Sequence, residues 1–285
     1  MRTIFGPVPS RRLGRSLGID VIPPKTCSYN CVYCESGLTT HWTIARERFV
    51  DPDLVLDELT DYFRCYPQGA DAITFSSAGE PTLYKPLGDL LRAIKNRFPS
   101  LPLIVLTNGS LLWDSEVRSD LTAADRVVPS LDAVIADVFT KVNVPHPRLD
   151  LDTIIEGLKA FGKDYHGQFH LEVLLVAGYN DHPEHLRELR RVIDQLNPDQ
   201  IELNTVVRPP ADPNVRGLSE QELHSLLPFF PANTQIVGHY CGSTPLKYDA
   251  DLAVRVMEVV RRRPCTKSEM AAALSVESEE LQRAL

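Results

Sequence analysis

No stretch of 18 or more apolar residues occurs in the 285-residue chain, so no membrane-spanning helix is expected. The opening MRTIFGPVPSRRLG also lacks the apolar segment of a secretory leader, and a cytoplasmic location follows as the expectation. Positive charge is in deficit, with 30 Lys and Arg against 38 Asp and Glu and a formal net charge of −8. That balance argues against a broad nucleic-acid-binding face, although Arg11, Arg12 and Arg15, and separately Arg261 to Arg263, leave room for local basic patches. Internal repeats and low-complexity tracts are absent. Cysteine is sparse, with 6 residues, and Cys65, Cys241 and Cys265 stand isolated from one another. In a reducing compartment such usage points to metal rather than disulfides. A hydrophobic content of 43% suffices for one large core and a small appendage.

What is present is concentrated in one segment. Cys27, Cys31 and Cys34 form a C-x3-C-x2-C run, with Tyr33 before the last cysteine and no fourth Cys or His close by. A structural zinc site takes four protein ligands, usually with C-x2-C pairs. Thiolates are the ligands of iron–sulfur clusters, and three of them leave one iron open to a small molecule. A coincidental grouping, or a zinc site completed by a distant His41, stays open from spacing alone. The run resembles the signature of the radical S-adenosylmethionine superfamily, three cysteines with an aromatic residue before the last. The resemblance implies a [4Fe–4S] cluster on the three cysteines with S-adenosylmethionine on the fourth iron. It also implies reductive cleavage to a 5′-deoxyadenosyl radical that abstracts hydrogen, and a small electron-donor protein of the flavodoxin or ferredoxin type.

Elsewhere, apolar strand candidates alternate with amphipathic helical patterns. The strands read as Leu17–Ile22, Ala72–Ser76, Leu103–Thr107, Arg126–Ser130, His170–Val176 and Gln200–Val206. The helices read as Pro52–Cys65, Lys85–Arg97, Glu116–Thr122, Leu151–Tyr165 and Pro183–Leu196. This α/β alternation predicts parallel strands in a partial (β/α)6 TIM-like barrel, with a doubly wound open sheet as the alternative. Active sites of such barrels lie at the C-terminal strand ends. The chemistry-bearing residues fall there: Gly79, Glu80 and Pro81; Asn108 and Gly109; Ser130 and Asp132; Gly178 and Asn180; Asn204 and Thr205. Each is equally a turn residue when taken singly. Ser77-Ala78-Gly79-Glu80 resembles the family's GGE motif, which implies that Gly79 and Glu80 hold the methionine amine. Tyr33 and Pro81 adjoin these motifs. Asn108, Ser130 and Asp132 are then expected nearest the ribose and carboxylate, Glu172 and Asn204 as further contacts, and Val206 as a backbone contact for adenine.

The stretches GPVPSRRLGRSLGID, AGEPTLY, LTNGSLL, PSLDA, IIEGL and LNTVVRPPAD resemble stand-alone radical S-adenosylmethionine proteins related to the wybutosine tRNA-modifying enzymes. No cysteine precedes Cys27, whereas the archaeal wybutosine type adds a second cluster there. Ser10, Arg11 and Arg12 are read as a substrate anion loop or as a surface extension closing the barrel bottom. Lys141, Asn143 and His146, with Asp137 and Arg148, are expected on a loop overhanging the mouth, and Arg208 at substrate. Residues 1–240 form the expected barrel domain and 241–285 a small helical, helix-turn-helix-like unit, with helices over Asp249–Arg263, to Leu274 and from Ser275. Glu277, Glu279 and Glu280 make DNA a poor partner for it. Two functions result: a radical enzyme acting on a small molecule, peptide or tRNA nucleotide, or a non-catalytic iron–sulfur regulator read out by the C-terminal helices.

Overall fold

The computed structural model describes residues 3–10 and 13–237, with residues 252, 256, 257, 267, 270, 271, 276, 277, 279, 281 and 282 of the C-terminal stretch. The chain opens with a hairpin, β1 (Ile4–Ser10) and β2 (Gly14–Ile19), then a short ribbon, β3 (Thr26–Cys27) with β4 (His41–Trp42). There follow α1 (Pro52–Cys65), β5 (Ala72–Phe75), α2 (Leu87–Arg97), β6 (Leu103–Thr107), α3 (Ser115–Leu121), β7 (Arg126–Pro129) and α4 (Ala136–Val142). The order continues α5 (Leu151–Asp164), β8 (Gln168–Leu175), α6 (Pro183–Leu196), β9 (Gln200–Thr205), α7 (Glu220–Leu226) and β10 (Thr234–Ile236). The main sheet runs β1-β2-β5-β6-β7-β8-β9-β10. β1 and β2 are antiparallel and every other neighbouring pair is parallel.

All six predicted strands and all five predicted helices are present. The first strand shows the largest displacement, Gly14–Ile19 against an expected Leu17–Ile22, because its pairing with β1 begins at Ser10–Gly14. Pro7 and Pro9 hide β1 from a propensity reading, yet an edge strand tolerates missing N–H groups. α1 and α6 match their expected bounds, each with proline in the first turn. Asp51 caps α1 by accepting the Asp53 N–H, and Asn197 ends α6 in the left-handed region at φ 48°.

Strand alternation separates two faces. Ile73, Phe75, Leu103, Val105, Leu171, Val173, Ile201 and Leu203 pack with the helices in the main core. The other face holds a smaller apolar group, Ala72, Ile104 and Val128, amid polar pairs. Ser16 Oγ donates to Thr74 Oγ1 at 2.7 Å, and His170 Nδ1 lies 2.8 Å from Glu202 Oε1. At the strand starts one device recurs. Asp71, Asp125 and Asp199 each precede a strand by one residue and accept the N–H of Arg15, Leu103 and Phe169, at 2.8, 2.7 and 2.8 Å.

Among the described C-terminal residues, Val256, Met270, Ala271 and Leu281 form an apolar cluster of their own. The expected domain boundary at 240/241, most of the Asp249–Arg263 helix, and Arg11 and Arg12 lie outside the described residues.

Candidate active site

The cysteine loop leaves the C-terminal end of β2 and is seated by contacts from distant segments. Lys25 N donates to Ala78 O at 2.7 Å and Glu80 N to Thr26 O at 3.1 Å, so the loop pairs with the segment after β5. This approach explains Gly79: a Cβ there would lie 2.1 Å from Thr26 O. A side chain at this position would collide with the chain's own backbone, whatever else the strand edge receives. On the other side, Asn30 N donates to Asn143 O and Val32 N to Val142 O, at 3.1 and 3.0 Å. Val32 and Tyr33 also pack on buried Val142, Val176 and Val215. Asp212 N donates to Val32 O at 2.9 Å, and Arg208 pairs with Glu35 beside the last cysteine.

Burial, with the Glu80 carboxylate second, pushes the Cys27 thiol up to about 12. Burial and the neighbouring Cys27 and Cys34 push Cys31 well up, and burial raises Cys34 against hydrogen bonds from Ser36. Tyr29 N and Asn108 Nδ2 point at Cys27 Sγ, both at 3.5 Å, and Asn143 Nδ2 points at Cys31 Sγ at 3.7 Å.

Asp132 is the hub of the rim. Its Oδ1 accepts from Leu174 N at 2.9 Å, while Oδ2 accepts from Asn143 Nδ2 at 2.7 Å and from the Tyr33 hydroxyl. Burial lifts this carboxyl to about 6 in spite of those donors. The Asp132 carbonyl is itself held by Asn180 Nδ2 at 2.9 Å. Asn180 is fully buried, also donating to Leu174 O at 2.8 Å and accepting from Val176 N at 2.7 Å. Nearby, Asn204 Nδ2 donates to Glu172 Oε1 at 2.9 Å, and Ser130 bridges to Glu172 across the ladder.

Several expected roles change. Glu80 turns inward: Oε1 accepts from Thr82 N, Thr82 Oγ1 and Thr107 Oγ1 at 3.0, 2.6 and 2.5 Å, and Oε2 from Asn108 N at 2.7 Å. That carboxyl ties the ends of β5 and β6 together and caps the short 3-10 turn begun by buried Pro81. Lys141 and Asn143 are not on a loop, since α4 occupies Ala136–Val142; Lys141 is exposed in its last turn and Asn143 is its buried C-cap. His146 stands against the cysteine loop, its N–H on Ser28 O at 2.8 Å and its ring edge-on to Trp42 at 5.7 Å. The Val206 carbonyl faces Gly217, whose Cβ position lies 2.1 Å away, and its side chain joins the apolar cluster under the loop. Ser10 pairs with Gly14 at the start of β2, the opposite end from the cysteines. Sequence reading missed Ser28 and Ser110, whose hydroxyls meet at 2.6 Å beside Asn108. Their only signal was adjacency to Cys27 and to Asn108-Gly109.

The donor set fits a cluster with a bound small molecule. Among the described residues no three or more Cys, His, Asp or Glu side chains converge on one metal-ion position. His41, the imagined fourth zinc ligand, instead faces Thr26 Oγ1 at 3.5 Å. Each thiolate of a cluster takes a separate iron and needs no such convergence. Asn143 Oδ1 and Ser77 Oγ, both on the rim, are buried without a hydrogen-bond partner. A bound group with donors could complete their bonding, although Arg46, Arg118 and Thr234 also hold such an atom away from this rim.

Comparison with known proteins places the chain in a family. The chain is 39% identical over 235 residues to the "GTPase Obg" of Brachyspira hyodysenteriae, 82% of this chain but 34% of that protein, so it spans about a third of that relative's length. It is 34% identical over 239 residues to a UPF0026 protein of Methanocaldococcus jannaschii, 84% of this chain and 73% of that one. Its fold resembles TYW1 with a lysine-pyruvate adduct bound, at TM-score 0.57 and 19% identity, over 75% of this chain and 72% of that one. At that identity the likeness shows the fold, a mostly parallel sheet covered by helices. A sequence profile of the Radical SAM superfamily matches residues 21–193, from the end of β2 through most of α6 and across the cysteine loop, and the chain belongs to that superfamily.

Proposed function

We propose that this chain is an enzyme that uses S-adenosylmethionine on a [4Fe–4S] cluster held by Cys27, Cys31 and Cys34. One observation carries the reading: the three cysteines sit at the strand ends that also present Asn108, Ser130, Asp132, Glu172 and Asn204. Members of the superfamily typically use that cluster and cosubstrate. Bound together, the two would supply one-electron cleavage of the sulfonium and a 5′-deoxyadenosyl radical for hydrogen abstraction.

The chain's own residues bind, orient and exclude water. Ser130, Glu172 and Asn204 line the polar face of the sheet, where a nucleoside and an amino-acid group find both donors and acceptors. The backbone of Ala78 and Gly79 offers an edge for the methionine amine, and Glu80 with Pro81 fixes that edge. Tyr33 and Val206 supply apolar surface beneath the loop. To the substrate we assign His146, Lys141 and Arg208, a reading supported for His146 and Arg208 by their contacts with Trp42 and with Glu35 of the cysteine loop. The electron would come from a flavodoxin- or ferredoxin-type protein, and the substrate is a small molecule, peptide or tRNA nucleotide in the cytoplasm. Residues 241–285 we take as a separate helical unit, supported by their own apolar cluster.

The test is anaerobic reconstitution with iron and sulfide, reduction with dithionite in the presence of S-adenosylmethionine, and mass detection of 5′-deoxyadenosine. Wild type should form it, and Cys31→Ala should bind little iron and form none. Zinc in place of iron, with no product, would end this reading.

A further inference from the structure

We infer that Asn108 and Asn143 are positioning residues that set the reduction potential of the cluster, each aiming an amide N–H at one cysteine sulfur. The inference rests on the cluster reading above. The three cysteines are served unequally. Cys34 draws its donors from Ser36, two residues away in the same loop. Cys27 and Cys31 also have a local donor each, Tyr29 N and the Tyr33 side chain, but each draws a further one from a side chain 81 or 112 positions distant, which only the fold brings into place.

Both amides are locked in the orientation that points N–H, not C=O, at sulfur. An amide's oxygen and nitrogen are nearly the same shape, so its neighbours decide which way it faces. Asn108 Oδ1 is taken by the Ser110 N–H at 2.9 Å, leaving Nδ2 for Ser28 Oγ at 2.8 Å and Cys27 Sγ at 3.5 Å. Asn143 Nδ2 donates to Asp132 Oδ2 at 2.7 Å, and a flipped amide would set oxygen against that carboxylate. Asp132 cannot swing away, because Leu174 N and the Tyr33 hydroxyl hold it. The same Nδ2 is thereby turned to Cys31 Sγ at 3.7 Å.

One-electron reduction, with dithionite as donor, leaves the cluster one negative charge richer and the protein unchanged. Donors aimed at the sulfurs stabilise that added charge and raise the potential. Each amide lies buried or half-buried, where water screens such dipoles poorly.

The experiment is an EPR-monitored redox titration of reconstituted protein without S-adenosylmethionine, on wild type, Asn143→Leu, Asn108→Leu and the double variant. Iron and sulfide are counted in each. At the potential that half-reduces wild type, each single variant should show a reduced-to-oxidised ratio about tenfold lower. That corresponds to a midpoint about 59 mV more negative for one electron. The double variant should fall further than either. Full iron content with an unmoved midpoint in both single variants overturns the inference. Should one variant fail to fold, the other still decides it, because the two amides belong to different elements. Wild type that takes up no iron would instead overturn the cluster reading itself.

Discussion

The two ends of the sheet use acidic side chains in opposite ways. At the strand starts, acidic residues act locally and repetitively: Asp71, Asp125 and Asp199 each close off one backbone N–H of the neighbouring strand. Two of them take a side-chain cation as well, Arg15 on Asp71 and Lys95 on Asp125, both at 2.6 Å. At the strand ends nothing repeats. Asp132 gathers donors from the cysteine loop, from α4 and from β8, and Asn180 in turn holds the Asp132 backbone. One end is built for stability, and the other spends the same groups on holding a loop in place, as expected of parallel α/β folds.

That contrast can be broken by experiment. The largest effect is expected at Asn180→Ala, which removes three buried hydrogen bonds. Urea unfolding should show a loss of about 3 kcal/mol. Iron uptake should fall as well, because Asp132 loses its anchor. Asp125→Ala comes next. It frees the Leu103 N–H and Lys95 at the other end, costing about 1–2 kcal/mol with iron uptake unchanged. If Asp125→Ala lowered iron uptake as much as Asn180→Ala, the two ends would not be functionally distinct.

The smallest effect separates the ends by pH. His185 is buried and neutral, its Nδ1–H donating to Asn180 O at 2.8 Å and its Nε2 accepting from Val134 N at 3.3 Å. Burial, with a lesser push from His182, holds it below the usual 6.5. The unfolded chain therefore takes up the proton first. His185 contributes its full stability above pH 6.5 and loses it as pH falls from there toward the folded value. Asp71 is held below 3.8 by Arg15, so its contribution persists until far more acid conditions. The difference in unfolding free energy between wild type and His185→Gln should shrink between pH 7 and pH 5. The difference for Asp71→Asn should not change over that range.

How much of this could be read beforehand follows from the range of each interaction. The six strands and the proline-started helices α1 and α6 were legible because apolar runs and caps act within a few residues. The cysteine triad was legible for the same reason. The short α4 was not, since seven residues without a side-chain cap leave little periodicity. Glu80 was placed correctly at a strand end, but its carboxyl is claimed by Thr107, 27 positions away, which no local pattern announces. The Asp132–Asn143–Cys31 chain is hidden likewise. The recurring Asp before Ala72, Arg126 and Gln200 was in plain view, yet its meaning needs the neighbouring strand.

The pair Arg208–Glu35 and the bond from Asp212 N to Val32 O have a mechanical consequence. The sheet has two edges, β1 and β10, and these two contacts join the loop after β9 to the loop after β2 across the rim. Where strands pair, parting them breaks a whole ladder; here, among the described residues, it breaks an ion pair, a backbone bond and the packing of Val32 and Tyr33 on Val215. The rim is a seam rather than a hoop. Salt weakens the ion pair across that seam, because the pair is partly exposed and therefore screened.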